Sequence, residues 1–406
     1  MSPPPRADGN ASAVTPSRLL VCFSHLRWNF VYQRPQHLLS RAARTYRVYF
    51  VEEPVFEPDV APRLDLSRQP CGVVVCTPVL PDGPGGEECE AAQRSLVDDL
   101  LAGHADVPLV VWYYTPMALT VSDHLAPDVC VYDCMDELSA FRGAPPRLTL
   151  QERRLFDRAD LVFTGGRSLY EAKRGRHHSV HAFPSSIDAA HFARARAGAV
   201  DPSDQAAVPR PRLGFFGVVD ERMDVDMVGH MADLRPDWQF VMIGPVVKID
   251  PGILPRRPNI HWLGGKRYEE LPDYLAGWDV GLMPFALNES TRFISPTKTP
   301  EFLAAGVPVV STRITDVVRP YGEAGLVEIA SDPEDAVRKA AHLLQRPKGS
   351  WLERVDRFLG TMSWDRTWSE MDALVQDAMA QGGQRSERTR ATSAVVASKS
   401  KGAARV

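Results

Sequence analysis

Residues 288–311, NESTRFISPTKTPEFLAAGVPVVS, hold the densest set of side chains able to do chemistry. Ser295 suits an N-cap and Pro296 the first helical position, where its missing N–H is no loss. The pattern therefore predicts a helix running through Thr297, Lys298 and Glu301 to a left-handed cap at Gly306. First-turn N–H groups, the positive end of the helix dipole, Lys298 in that turn and Arg292 just before it form an anion site suited to phosphate. Glu301, a turn further on, can accept hydrogen bonds from a diol. A diphosphate at the helix start with a ribose beside it describes a nucleotide sugar. Pro300, at the fifth helical position, removes a backbone bond and kinks or delays the helix. The competing reading makes Lys298 and Glu301 an ordinary exposed i,i+3 pair.

Two further clusters lie in the first half. Residues 24–37, SHLRWNFVYQRPQH, carry His25, Arg27, Trp28, Gln33 and Arg34. A histidine there can orient a hydroxyl or take its proton, and Arg34 can bind a phosphate or carboxylate. The alternative is a His and an Arg that tie down a long loop. Residues 132–141, YDCMDELSAF, carry Asp133, Asp136 and Glu137, which could supply a general base or bind sugar hydroxyls, or else make Asx-turns and caps. Gly165-Gly166-Arg167-Ser168 can approach a phosphate, with helix capping as its plainer role.

The frame for these residues is a recurrence of short β-branched and aromatic runs with helix-length segments between them. The runs are 18–23 (RLLVCF), 47–51, 72–76, 108–114 (PLVVWYY), 129–133, 161–164 and 179–183. Near-continuous apolar strands of this kind suit a parallel sheet covered on both faces. Residues 36–43 and 149–159 supply covering helices, the second opened by a capping box from Thr149 to Glu152. Residues 184–211 interrupt the pattern with Pro, Ser, Ala and Asp, and 191–211 read as a linker. The alternation then restarts at 212–216, 239–243, 259–263, 280–284 and 307–311. The expected fold is two doubly wound, Rossmann-like α/β domains. Ligands of a parallel sheet collect at the carboxyl ends of its strands, so the loops after the first and fifth runs should face a cleft. Late in the chain, Ser363 can cap a helix that places Trp364, Trp368, Met371 and Val375 on one face.

The chain has 406 residues, 44% of them apolar, with 47 Lys+Arg against 51 Asp+Glu and a formal charge of −4. That excludes wholesale disorder and argues against a dedicated nucleic-acid binder. Residues 381–406 carry Arg385, Arg388, Arg390, Lys399, Lys401 and Arg405 against Glu387 alone, a net +5 that leaves −9 on residues 1–380. This tail is expected to be disordered, either simply solvated or weakly associated with an anionic membrane surface. Residues 1–17 are read as disordered too, since MSPPPRADGNASAVTPS lacks the apolar core of a signal peptide. With no apolar run of about 18–20 residues, the expected location is the cytoplasm, peripheral to the inner membrane if the tail binds lipid. The six cysteines form no C-x-x-C pair and show no metal-ligand spacing.

P-T-K-x-x-E-F-L-A-A-G-x-P-V-V, following a run that ends Leu-Met-Pro-Phe, resembles the donor-site motif of GT-B-fold glycosyltransferases. The likeness is nearest to family-4-type retaining enzymes, the glycosyl transferases group 1. It spans roughly residues 18–380 and is most specific over 213–311. Residues 212–224 (RLGFFGVVDERMD) resemble the first strand and loop of the nucleotide domain, 260–268 (IHWLGGKRY) the segment that packs the base, and 351–380 helices that cross back to the first domain. The resemblance implies an acceptor domain over 18–190, the linker, a donor domain over 212–345 and crossing helices over 346–380.

Carried over position by position, Glu301 matches the second Glu of the family's Glu-x(7)-Glu motif and would hold the ribose. Ser295, Thr297 and Lys298 would meet the diphosphate with Arg222 and Arg292, and Leu263, Gly264 and Tyr268 would contact the base. Apart from the resemblance, their place at strand ends facing the cleft makes His25, Asp133 and Asp136 the catalytic candidates, and Arg27, Trp28 and Arg34 the acceptor-binding ones. Two departures stand out: Phe293 occupies the place of the motif's first Glu, and the loop after the first run lacks the glycines common there. The implied activity is metal-independent, cofactor-free transfer, with retention, from a nucleotide-diphosphate sugar to a glycan, lipid-linked or small-molecule acceptor. A sugar-nucleotide epimerase and a catalytically degenerate nucleotide-sugar-binding subunit are the alternatives.

Overall fold

The computed structural model describes residues 18–382 apart from Pro84 and Ala199. The expectations for residues 1–17 and for all but the first two residues of the basic tail lie outside the described residues. The first domain holds β1 (Leu19–Phe23), β2 (Arg47–Val51), β3 (Val55–Glu57), β4 (Arg63–Arg68), β5 (Val74–Pro81), β6 (Leu109–Tyr113), β7 (Val129–Cys134), β8 (Leu161–Thr164) and β9 (Val180–Ala182). Their spatial order is β3-β5-β2-β1-β6-β7-β8-β9, with β4 antiparallel on β5 and the other pairs parallel.

The second domain holds β10 (Arg212–Phe216), β11 (Gln239–Ile243), β12 (Ile260–Gly264), β13 (Val280–Met283), β14 (Val309–Thr312) and β15 (Val327–Ala330). They form a parallel sheet ordered β12-β11-β10-β13-β14-β15.

Strand period explains why the runs are apolar throughout. Leu20 and Cys22 of β1 join Val48, Phe50 and Trp112 in the core on one face, while Val21 and Phe23 join Val111 and Tyr113 on the other. Three strands had no such signature. β4, RLDLSR, is an almost wholly exposed edge held by its ladder to β5, and β3 and β15 are short and mixed in polarity.

Two local expectations are corrected. Thr149 does not open a helix: the helix is Leu148–Arg158 with Arg147 at its N-cap, and Glu152 instead binds Lys173 and Arg176. The segment 191–211 is not a free tether. Phe192, Ala195 and Val208 are buried in the second domain's core, and buried Gln205 accepts the Trp278 indole N–H at 2.7 Å.

The chain does cross back. The helix Gly349–Leu359 buries Trp351, Val355 and Leu359 on the second domain. Ser363 Oγ then accepts the Arg366 N–H at 3.1 Å, and the helix over 364–382 buries Trp364, Trp368, Met371 and Val375 in the first domain's core. Strand order turns from falling to rising between β1 and β6 in one sheet and between β10 and β13 in the other, and the loops at these carboxyl ends line one cleft between the domains.

Candidate active site

On the second-domain wall the chain leaves β10 through Gly217 at φ +132°, where a side chain would collide with the Lys298 Cε. Only glycine fits both that backbone and that contact. Lys298 begins the helix Lys298–Ala304, whose N-cap is Thr297, so the helix starts later than the Ser295 and Pro296 pattern suggested. Pro300 explains the delay: in the first turn its missing N–H has no intrahelical partner to lose. Gly306 takes the expected left-handed cap at φ +75°. Ser295 makes a seam contact instead, its carbonyl accepting the Ser185 hydroxyl at 2.6 Å.

Glu301 is buried, so the surface-pair reading of Lys298 and Glu301 does not hold. Burial pushes the Glu301 carboxyl up and the Lys298 ammonium down from their usual ranges, while each charge partly offsets the other's displacement. Arg222 lines the same wall, its guanidinium fixed by Asp220 at 2.7 and 3.0 Å and lying over the Phe141 ring of the first domain.

Other expected donor contacts are not brought there. Arg292 is exposed, 3.5 Å from Glu289 and over the Phe293 ring, and is not among the residues lining the cleft cavities. Leu263 packs inward and Gly264 ends β12, so the cleft wall begins one residue later, at Gly265. Tyr268 reaches the cleft with both ring faces occupied, by Tyr32 at 4.4 Å and His191 at 4.3 Å. That stack continues through His37 to Trp364, joining the second domain, the first domain and the last helix.

The first-domain wall differs more from the sequence reading. Arg34 and Asp133 are a buried pair, with contacts of 2.9 and 3.0 Å, and Arg34 also donates to the Phe183 carbonyl at 2.7 Å. Asp133 lies wholly inside, whereas Arg34, although paired, also lines the cavity that holds Asp136 and Lys298. Arg27 binds Glu52 at 3.1 Å and the Glu53 carbonyl at 2.6 Å, and Trp28 is core against Phe50. Asp136 and His25 share one cavity, and Arg27 lines it beside them. Burial raises Asp136 to about 6 against the pull of Arg222, Arg34 and Lys298. Burial, then the Lys248 charge, lowers His25 to about 4, so its imidazole is neutral at pH 7.

Lys248 and Asp220 line this cavity too and were not singled out from sequence. Lys248 stands in the left-handed region at φ 60°, uncommon for a side chain with a Cβ. The cue for Asp220 was its i,i+2 spacing to Arg222; no comparable cue marks Lys248. Among the described residues no group of three or more His, Cys, Asp or Glu is placed to hold a metal ion, and no helix is long and apolar enough to cross a membrane.

Residues 210–346 match the family of glycosyl transferases group 1. A Bacillus subtilis relative named as a teichuronic acid biosynthesis glycosyltransferase, TuaH, is 28% identical over 247 residues, 56% of this chain. The match covers 62% of that relative's length. Among solved structures, sucrose-phosphate synthase of Thermosynechococcus elongatus superposes with a TM-score of 0.68 at 14% identity, over 90% of this chain and all of that one. A trehalose-6-phosphate structure from E. coli bound with UDP-2-fluoro glucose gives 0.63 at 12% identity, over 89% and 98% of the two chains. Anabaena HepE in complex with UDP and glucose gives 0.62 at 13%, over 89% and 99%. The chain thus has the GT-B fold, and its second domain matches the glycosyl transferases group 1 over residues 210–346.

Proposed function

We propose that the protein transfers a glycosyl group, with retention, from a nucleotide-diphosphate sugar to an acceptor hydroxyl held in the interdomain cleft. The observation that carries this reading is the juxtaposition of buried Glu301 and Lys298 on one wall with Asp136 and His25 on the other. Glu301 would receive the ribose hydroxyls, and Lys298 and Arg222 the diphosphate above Gly217. As the anomeric C–O bond breaks, its electron pair leaves with the diphosphate, and the two cations meet the growing charge. The acceptor oxygen forms the new bond to the anomeric carbon and gives up its proton, for which the Asp136 carboxylate, ionised above about pH 6, would be the base.

Structures bound with UDP and UDP-2-fluoro glucose make uridine the first base to try, and the relative named for teichuronic acid biosynthesis favours a polysaccharide acceptor, on a lipid carrier or free. In this reading the reaction needs no metal or other cofactor and takes place in the cytoplasm. The basic residues of 381–406 would hold the protein weakly to anionic membrane. Salt-sensitive binding to phosphatidylglycerol vesicles, lost on deleting 383–406, supports that placement; equal binding by both proteins rejects it.

Glu301→Ala should raise the donor KM or abolish turnover, and unchanged kinetics would sink the assignment. One observation favours a second reading: Phe293, in place of the motif's first Glu, is half-buried and packs against the first domain's core. A non-transferring subunit would bind the nucleotide yet release no diphosphate when acceptor is added. An epimerase would form product from the nucleotide sugar alone.

A further inference from the structure

Asp316 belongs to the second domain, just after β14, yet its carboxylate serves the first. Its Oδ1 accepts the backbone N–H of Ser168 at 3.0 Å, in the first turn of the helix Arg167–Lys173. That helix has Gly166 at its own N-cap and therefore no side-chain cap of its own. The cap comes from across the seam. At the helix's other end, buried Lys173 binds Glu137 at 2.6 Å and Glu152 at 2.8 Å. Glu137 is the neighbour of Asp136. The start of the same loop is tied down where the Gly165 N–H donates to the Cys134 carbonyl at 2.9 Å. One short, rigid helix therefore touches the second domain at its first turn and the Asp136 loop at both ends.

The seam is also tight. Gly166 has an extended backbone, φ −161°, which any residue adopts, but a Cβ there would run into the Asp316 carboxylate and stand 3.0 Å from the Ser295 Cβ. The second oxygen of Asp316 is buried without a partner. An unpaired polar atom of that kind is costly to bury, and an apolar contact would have closed the seam without it.

We propose that Asp316 is a positioning residue for the transfer reaction: by capping the Arg167–Lys173 helix across the seam, it sets, through Lys173 and Glu137, where the Asp136 carboxylate stands in the cleft. The proposal rests on the cleft being the transfer site. It makes the cleft's first-domain wall depend on a second-domain residue that never touches substrate.

The test compares Asp316→Ala, Asp316→Asn and Gly166→Ala. Asp316→Ala removes the cap; Gly166→Ala keeps the Asp316 side chain but pushes its carboxylate off the Ser168 N–H, since a Cβ there meets that carboxylate. Both should lower kcat about tenfold or more, since a displacement of about 1 Å at a reacting group can cost that much. Both should leave the calorimetric Kd for UDP within about twofold, because Glu301, Lys298 and Gly217 lie away from the change. Asp316→Asn keeps an oxygen acceptor and should restore kcat. Wild-type kcat in Asp316→Ala overturns the proposal, as does equal loss in Asp316→Asn. If Asp316→Ala does not fold, Gly166→Ala carries the test.

Carbon-13 NMR titration of the Asp136 carboxyl needs no turnover. Its midpoint should move in Asp316→Ala and Gly166→Ala and return in Asp316→Asn; an unmoved midpoint also overturns the proposal. If the wild-type protein releases no nucleoside diphosphate with any acceptor, the transfer reading fails, and the NMR arm still decides whether Asp316 positions Asp136.

Discussion

The two walls of the cleft teach different things about reading function from residue types. On the second-domain wall Lys298 and Glu301 sit three residues apart on one helix and stay available, neither having an ion-pair partner within 4 Å among the described residues. On the first-domain wall most of the charges are already used: Arg34 by Asp133, Arg27 by Glu52, Lys173 by Glu137 and Glu152. A wall built from one helix keeps its chemistry within a short stretch of chain. A wall built from several loops must spend much of its charge on holding those loops together.

The contrast can be broken at four places, from the largest expected effect to the smallest. Asp136→Asn, on the first wall, should cut kcat by about 10²- to 10⁴-fold. The wild-type profile of kcat/KM should fall as pH drops through about 6, because protonation removes the base, and this limb should vanish in the variant. An acid limb that persists in Asp136→Asn would assign the base elsewhere, with His25 next to test. Arg34→Met should act on stability instead, leaving Asp133 as a buried unpaired carboxylate at a cost of about 3–5 kcal/mol in urea unfolding. A loss of turnover without loss of stability would return Arg34 to the substrate. Lys298→Met should lower kcat by about 10²- to 10³-fold with little change in urea midpoint, the reverse of Arg34→Met. Arg292→Ala should leave kcat unchanged and stability within about 0.5 kcal/mol; a clear rise in donor KM would restore it to the phosphate site.

The fold was legible wherever a strand is covered on both faces. The runs at β1 and β6 are apolar at every position, and those at β2 and β10 after an initial arginine are nearly so, because each face packs into a core. β4 was not, since an exposed edge strand is specified by the ladder it joins and not by burial. Of the site, the Lys298 and Glu301 spacing was legible because a single helix sets their relation. The Arg34 to Asp133 pair spans 99 positions and the Tyr32 to Tyr268 stack 236, and nothing local in the chain announces either partner. Residue type alone therefore could not tell that Arg34, Arg27 and Asp133 are bound to partners within the fold.

The helix over 364–382 bears on how the protein is made. Trp364, Trp368, Met371 and Val375 complete a core that otherwise comes from residues 20–183. These four side chains leave the ribosome only after the whole second domain has emerged. Domains usually fold in order of synthesis, yet here the first domain to be translated is the last to be finished. During that interval the side chains Trp112 and Tyr46, which pack on Trp368, have no cover. A nascent chain stalled before residue 364 should accordingly bind hydrophobic-surface chaperones more strongly than one stalled after residue 382.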